Sequence, residues 1–229
     1  MRLRSVLIAA LLATACHSSP AKKKPDPELT RLEQHIGDFD QRLVAIRRAV
    51  PAAAQVDDQA CPDAAIAKRL DGATGSVLLA EYEYLARYSG HASDRGRWKF
   101  LTTPALRGVP TLAEVHNKKQ ATDALWNIQK LRKAHPYLAV LRSLHRDLPR
   151  MDGQRFHPGV LQGGLFVFDL SNGKLLCRAS VDAHSSDQVA GVKGQDRSQA
   201  LWNDFTLQLR QQLDRALGRV SHQLELDFD

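Results

Sequence analysis

Apolar residues recur along this chain in more than one period, and each period predicts a different element. Over residues 28–50, Leu29, Leu32, Ile36, Phe39, Leu43, Ile46 and Val50 return at alternating steps of three and four. That spacing draws one stripe along an α-helix. Asp26 is placed to cap it, Pro27 suits its first position and Pro51 stops it. The stripe is also a heptad seam. It would seat the helix on its own domain, or pair it with another helix or a second copy of the chain.

Further along, Pro62-Asp63 opens a short helix that Asp71-Gly72 stops. Residues 76–88, SVLLAEYEYLARY, carry a helical face of Leu78, Leu79, Tyr82, Leu85 and Ala86, and the expectation here is helix. Trp98, Phe100 and Leu101 read as a return to the core. Residues 118–134 predict another helix, with Ala121, Leu125, Ile128 and Leu131 on one face and Pro136 beyond its end. The pattern then shortens. Tyr137 to Leu144, Gly164 to Leu170 and Lys174 to Val181 read as strands. Asn172-Gly173 between the last two is a hairpin signal. A long helix over 194–220 follows, carrying Leu201, Phe205, Leu209, Leu213, Leu217 and Val220. Leu224 to Asp229 alternates Leu or Phe with acids, as an edge strand or a frayed end would. The expected fold class is α+β: a short antiparallel meander of about three strands, covered by several helices, with a long N-terminal amphipathic helix.

The first residues, MRLRSVLIAALLATA, belong to none of this. Arg2 and Arg4 precede an apolar run from Val6 to Ala13, and small residues follow, as in a secretory signal. The run is too short to span a bilayer, which needs about 20 apolar residues. Leu12-Ala13-Thr14-Ala15-Cys16 resembles the lipobox of bacterial lipoprotein precursors. That resemblance implies cleavage after Ala15, a diacylglyceryl group on Cys16 and, because His17 is not aspartate, delivery to the outer membrane. Ala13-Thr14-Ala15 also meets the rule for ordinary secretory cleavage. The two readings share the cut and differ in whether Cys16 carries lipid. The expected organisation is a signal peptide over 1–15, a tether over 16–27 containing Lys22, Lys23 and Lys24, and a single domain over 28–229.

Composition changes this picture little: 43% hydrophobic and 25% charged residues are enough for one domain with a core. The formal charge of +7 suits contact with polyanions or simple solubility. Export argues against DNA or RNA as the partner. The three cysteines matter more. If lipid consumes Cys16, then Cys61 and Cys177 remain as a pair in an oxidising compartment and would form a disulfide; the alternative is two buried thiols.

The candidate chemistry is sparse. The chain has no nucleophile elbow, P-loop, zinc-protease helix or dinucleotide fingerprint, and its cysteine and histidine spacing fits no metal site. No cofactor is expected. Arg142, Arg146, Arg150 and Arg155, with Lys130, Arg132 and Lys133, concentrate positive charge and are the candidate ligand patch for phosphate or carboxylate. The alternative is a solvated basic face. Tyr82, Tyr84 and Tyr88 would stack on sugar rings or pack in the core. His184-Ser185-Ser186-Asp187 puts a base, hydroxyls and an acid side by side, although triad members converge from separate elements. The expected role is therefore non-enzymatic, in binding or assembly, with the membrane and a possible protein partner at helix 28–50. The alternative is an enzyme of unrecognised type with its site near His145, His157 and His184.

Overall fold

The computed structural model describes residues 26–51, 77–89, 104–153, 155–187, 189 and 196–217. The first helix, α1, runs Pro27–Ala49. The Asp26 carboxylate accepts from the Glu28 amide at 2.9 Å, and Pro27 stands where a helical amide would have no partner. Ile36, Phe39, Leu43 and Ile46 are buried along one side of it, with Leu29 and Leu32 partly covered. The heptad seam thus faces this domain's own core, which leaves only the outer side of α1 to solvent.

Strand β1, Leu78–Glu81, comes next, followed by a 3-10 turn over Tyr84–Ser89. The helix expected over 76–88 is not there. Leu78 and Ala80 enter one core while Val77 and Leu79 enter the other. A strand buried on both faces shows no polar alternation, so its apolar run reads equally well as a helix. A short helix α2, Pro104–Arg107, a 3-10 turn at Leu112–Glu114 and helix α3, Lys118–Ala134, lead to strand β2, Tyr137–Asp147. Asn117 caps α3 by accepting from the Gln120 amide at 3.0 Å. A two-stranded hairpin of β3, Arg150–Asp152, and β4, Arg155–His157, precedes the long strands β5, Val160–Asp169, and β6, Leu175–His184. Helix α4, Arg197–Leu217, follows.

The architecture is α+β with a mixed sheet of order β1-β2-β5-β6. Strands β2, β5 and β6 form an antiparallel meander, but β1 pairs with β2 in parallel. The all-antiparallel sheet expected from the pattern is corrected by that one strand. The turn from β5 to β6 holds Asn172 and Gly173, where Gly173 takes φ 72°. The Asp169 carboxylate collects the Ser171 amide and hydroxyl and the Asn172 side chain. Leu138, Val140, Phe166 and Phe168 meet α1 and α3 on one face. Leu165, Val167, Ala179 and Val181 meet Phe205, Leu209 and Leu213 of α4 on the other. The sheet is therefore covered on both sides.

One irregularity decides where the polar residues go. The β2–β5 register slips between Ser143 and His145, leaving Leu144 as the extra residue, 59% exposed. Gly163 lies opposite, and a Cβ there would run into the Arg142 carbonyl. A strand alternates with period two, so a single extra residue moves everything after it to the other face. Arg142 therefore stays on the α1 side and Arg146 turns to the α4 side.

Candidate functional site

The bulge separates the expected arginine patch. Arg142 donates to the carbonyls of Val50 and Pro51 at the end of α1, and its guanidinium lies 4.4 Å from the centre of the Tyr82 ring. Arg47 covers the same ring at 4.5 Å, so Tyr82 sits within cation–π reach of two arginines. Arg146 forms an ion pair with Glu81 in which Nη1 donates to both carboxylate oxygens at 2.9 Å, and the Glu81 side chain is only 1% exposed. Arg150 and Arg155 are exposed on the β3–β4 hairpin. Two of the four arginines thus hold the fold together and two face water. Charge counted along the sequence does not reveal this, because the bulge is invisible there.

His145 and His184 lie on β2 and β6, with β5 between them. His145 lies 3.7 Å from Asp147, and His184 lies 2.7 Å from Asp182. His145 is in register with Gln162, while His184 is in register with Val160 one strand further on. His157 belongs to the separate hairpin, opposite Arg150. Among the described residues, no group of three histidine, cysteine or acidic side chains is arranged to hold a metal. The serines beside His184 have structural partners. Ser185 accepts from the Gly159 amide at 2.9 Å, and Ser186 donates to Asp204 of α4 at 2.6 Å while Gln208 donates to it. Ser186 thus clasps the end of β6 to α4, and Ser185 ties it to Gly159 ahead of β5.

A buried polar cluster, not anticipated from the sequence, lies where α1 meets the two 3-10 turns. Arg87 donates to both carboxylate oxygens of Glu114 and to the Tyr84 hydroxyl, with Tyr84 and Tyr88 within 5.5 Å as ring partners. The Tyr84 and Tyr88 rings are therefore buried rather than offered as a sugar platform. Asp40 projects from α1 beside this group and accepts from the Leu112 amide at 2.7 Å. Its other oxygen, Oδ1, has no hydrogen-bond partner among the described residues. Burial pushes the Asp40 carboxyl up to about 6, against the opposing pull of that amide and of Arg87. Burial likewise holds the Tyr88 phenol well above its ordinary value.

An opening that offers a place for a ligand lies between α1 and α3. It is a groove of about 400 Å³. Leu32, Phe39, Leu125 and Ile128 supply its apolar lining, and Arg31, His35, Arg42 and Arg132 its cationic and imidazole groups. Helical spacing explains the placement: Arg31, His35, Asp38 and Arg42 follow one another at three and four residues along α1, beside the buried stripe. A second hollow of about 390 Å³ adjoins it, shares Gln129 and Arg132, and adds Lys133 and Asp169. Arg42 reaches across to donate to the Leu170 carbonyl at 3.3 Å. Partial burial, and next the charge of Arg132, hold the Arg42 guanidinium below its usual value; Asp38 and Asp169 pull the other way. The heptad stripe names two residues of its apolar lining, Leu32 and Phe39, but not the charged residues of its rim.

No known family model, curated protein or solved structure matches the chain, so its chemistry rests on these residues alone. Cys177 is half-buried on β6 at the edge of the α4-side core. Ala15, Cys16 and Cys61 lie outside the described residues. No helix among the described residues is long and apolar enough to cross a membrane.

Proposed function

We propose that this protein is a cell-envelope lipoprotein that acts by binding rather than by catalysis. Cleavage after Ala15 leaves Cys16 to carry the lipid, and the Lys22–Lys24 tether holds the domain close to an anionic surface. Acylation of Cys16 leaves Cys61 and Cys177 to pair, closing a loop that spans most of the domain. The observation that carries the binding role is the groove between α1 and α3, where apolar and cationic side chains share one cleft.

The anchor is tested by mass spectrometry of the mature N-terminal peptide. Acyl chains on Cys16, lost together with membrane association in Cys16→Ser, are expected. A mature chain beginning with an unmodified Cys16 would rule the anchor out and leave a soluble exported binding protein.

A further inference from the structure

We infer that the α1–α3 groove binds a phosphate group attached to an apolar body, with the phosphate held between Arg42 and Arg132 and the body lying against Leu32 and Leu125. The inference rests on the binding role proposed above and assigns that role its ligand chemistry. Two guanidinium groups from different helices line one cleft, and among the described residues neither is paired to a carboxylate by a salt bridge. Arg42 has its single hydrogen bond to a backbone carbonyl, that of Leu170.

The neighbouring acids offset this charge only in part. Glu28, at one end of the groove, is paired with Lys118. Asp169, in the adjoining hollow, accepts from Ser171 and Asn172 and keeps its negative charge, which draws on Arg42 from a distance. Asp38 remains, one turn before Arg42 on the same helix. Arg31 adds a further positive charge to the lining. Two like charges held near one another favour a ligand that brings two negative charges, and a phosphate monoester carries nearly two at neutral pH. Guanidinium forks match its oxygens better than ammonium groups would. The apolar lining distinguishes an ester with a hydrophobic body from inorganic phosphate. That chemistry belongs equally to a soluble phosphate ester and to the headgroup of an acidic phospholipid.

Calorimetric titration of the full mature chain carrying Cys16→Ser, which removes acyl chains from the readout, tests this with phenyl phosphate and inorganic phosphate as probes. Saturable binding of phenyl phosphate is expected, with inorganic phosphate weaker. Arg132→Gln, an exposed position, should weaken phenyl phosphate by about tenfold or more, the scale of one charge-assisted contact. Arg42→Lys, which keeps charge and loses the fork, should weaken it as well, and the unfolding midpoint of each variant reports that it is folded. Flotation with phosphatidylcholine vesicles, with and without phosphatidic acid, separates the two sources. Arg132-dependent capture by the acidic vesicles assigns a lipid headgroup, and binding of phenyl phosphate alone assigns a soluble ester. No saturable binding to either, equal affinity for inorganic phosphate, or two folded variants that bind as the parent does would each overturn the inference. Release of inorganic phosphate from phenyl phosphate would leave the site standing and overturn the non-catalytic reading instead.

Discussion

Asp40 shows how one side chain sets a pH dependence. Its carboxyl rises from 3.8 to about 6 on folding, so between those values the native state binds the extra proton. Stability is therefore fully present below the unfolded value and falls as pH rises through the folded one. Asp40→Asn keeps an acceptor for the Leu112 amide and removes the charge. It should stabilise the protein at pH 8 by about 1–2 kcal/mol and flatten the stability profile between pH 4 and 7. Urea unfolding at pH 5 and pH 8 checks this, and an unchanged profile in the variant would refute it. Glu81 and Arg146 make the opposite case. Arg146→Met takes the guanidinium away from a buried carboxylate and should cost about 3–5 kcal/mol, much of it recovered on adding Glu81→Leu. A double variant as unstable as the single one would count against that account. Little of this was legible beforehand. Asp40 sits between apolar positions of α1 like any surface acid in a heptad, and nothing in a linear pattern says that a loop will fold over it.

At the scale of elements, periodicity was informative wherever an element keeps one face wet. The stripe of residues 28–50, the face Ala121–Ile128–Leu131 and the run Phe205–Leu209–Leu213 each name residues that the structure buries. It failed at β1, which is covered on both sides, and at the bulge, where one extra residue reassigns every position after it. Asn172-Gly173 was readable because a positive φ and a side-chain acceptor are local demands. The bulge is local in another way. Gly163→Ala would press a methyl group against the Arg142 carbonyl, and the backbone of two paired strands would have to part to admit it. We expect a loss of about 2 kcal/mol or more, since bulge geometry is held by the whole sheet. Gly173→Ala should lose about 1 kcal/mol through its left-handed backbone alone. Thermal unfolding that ranks the two the other way round would show that the turn, not the bulge, is the tighter constraint.

On the scale of the whole molecule, the proposed Cys61–Cys177 bridge makes a different kind of prediction. Closing so long a loop is worth up to about 4–5 kcal/mol in the chain-entropy model. Cys61→Ser and Cys177→Ser should each lower the unfolding midpoint, and the double variant should be no worse than either alone. Additive losses would mean two independent thiols. The parallel pairing of β1 with β2 bears on a question of time rather than of stability. Leu78 to Glu81 meets Leu138 to Leu141, and α1 rests on Leu138 and Phe166. A ribosome, or a pore that passes the chain N-terminus first, delivers α1 before the elements it packs against. The Tyr84–Ser89 turn and α3 are its main neighbours, and its stripe of Ile36, Phe39, Leu43 and Ile46 is fully covered only after both have emerged. Helix α1 is thus an element in waiting, and the apolar stripe it shows in that interval is one that the finished fold no longer displays.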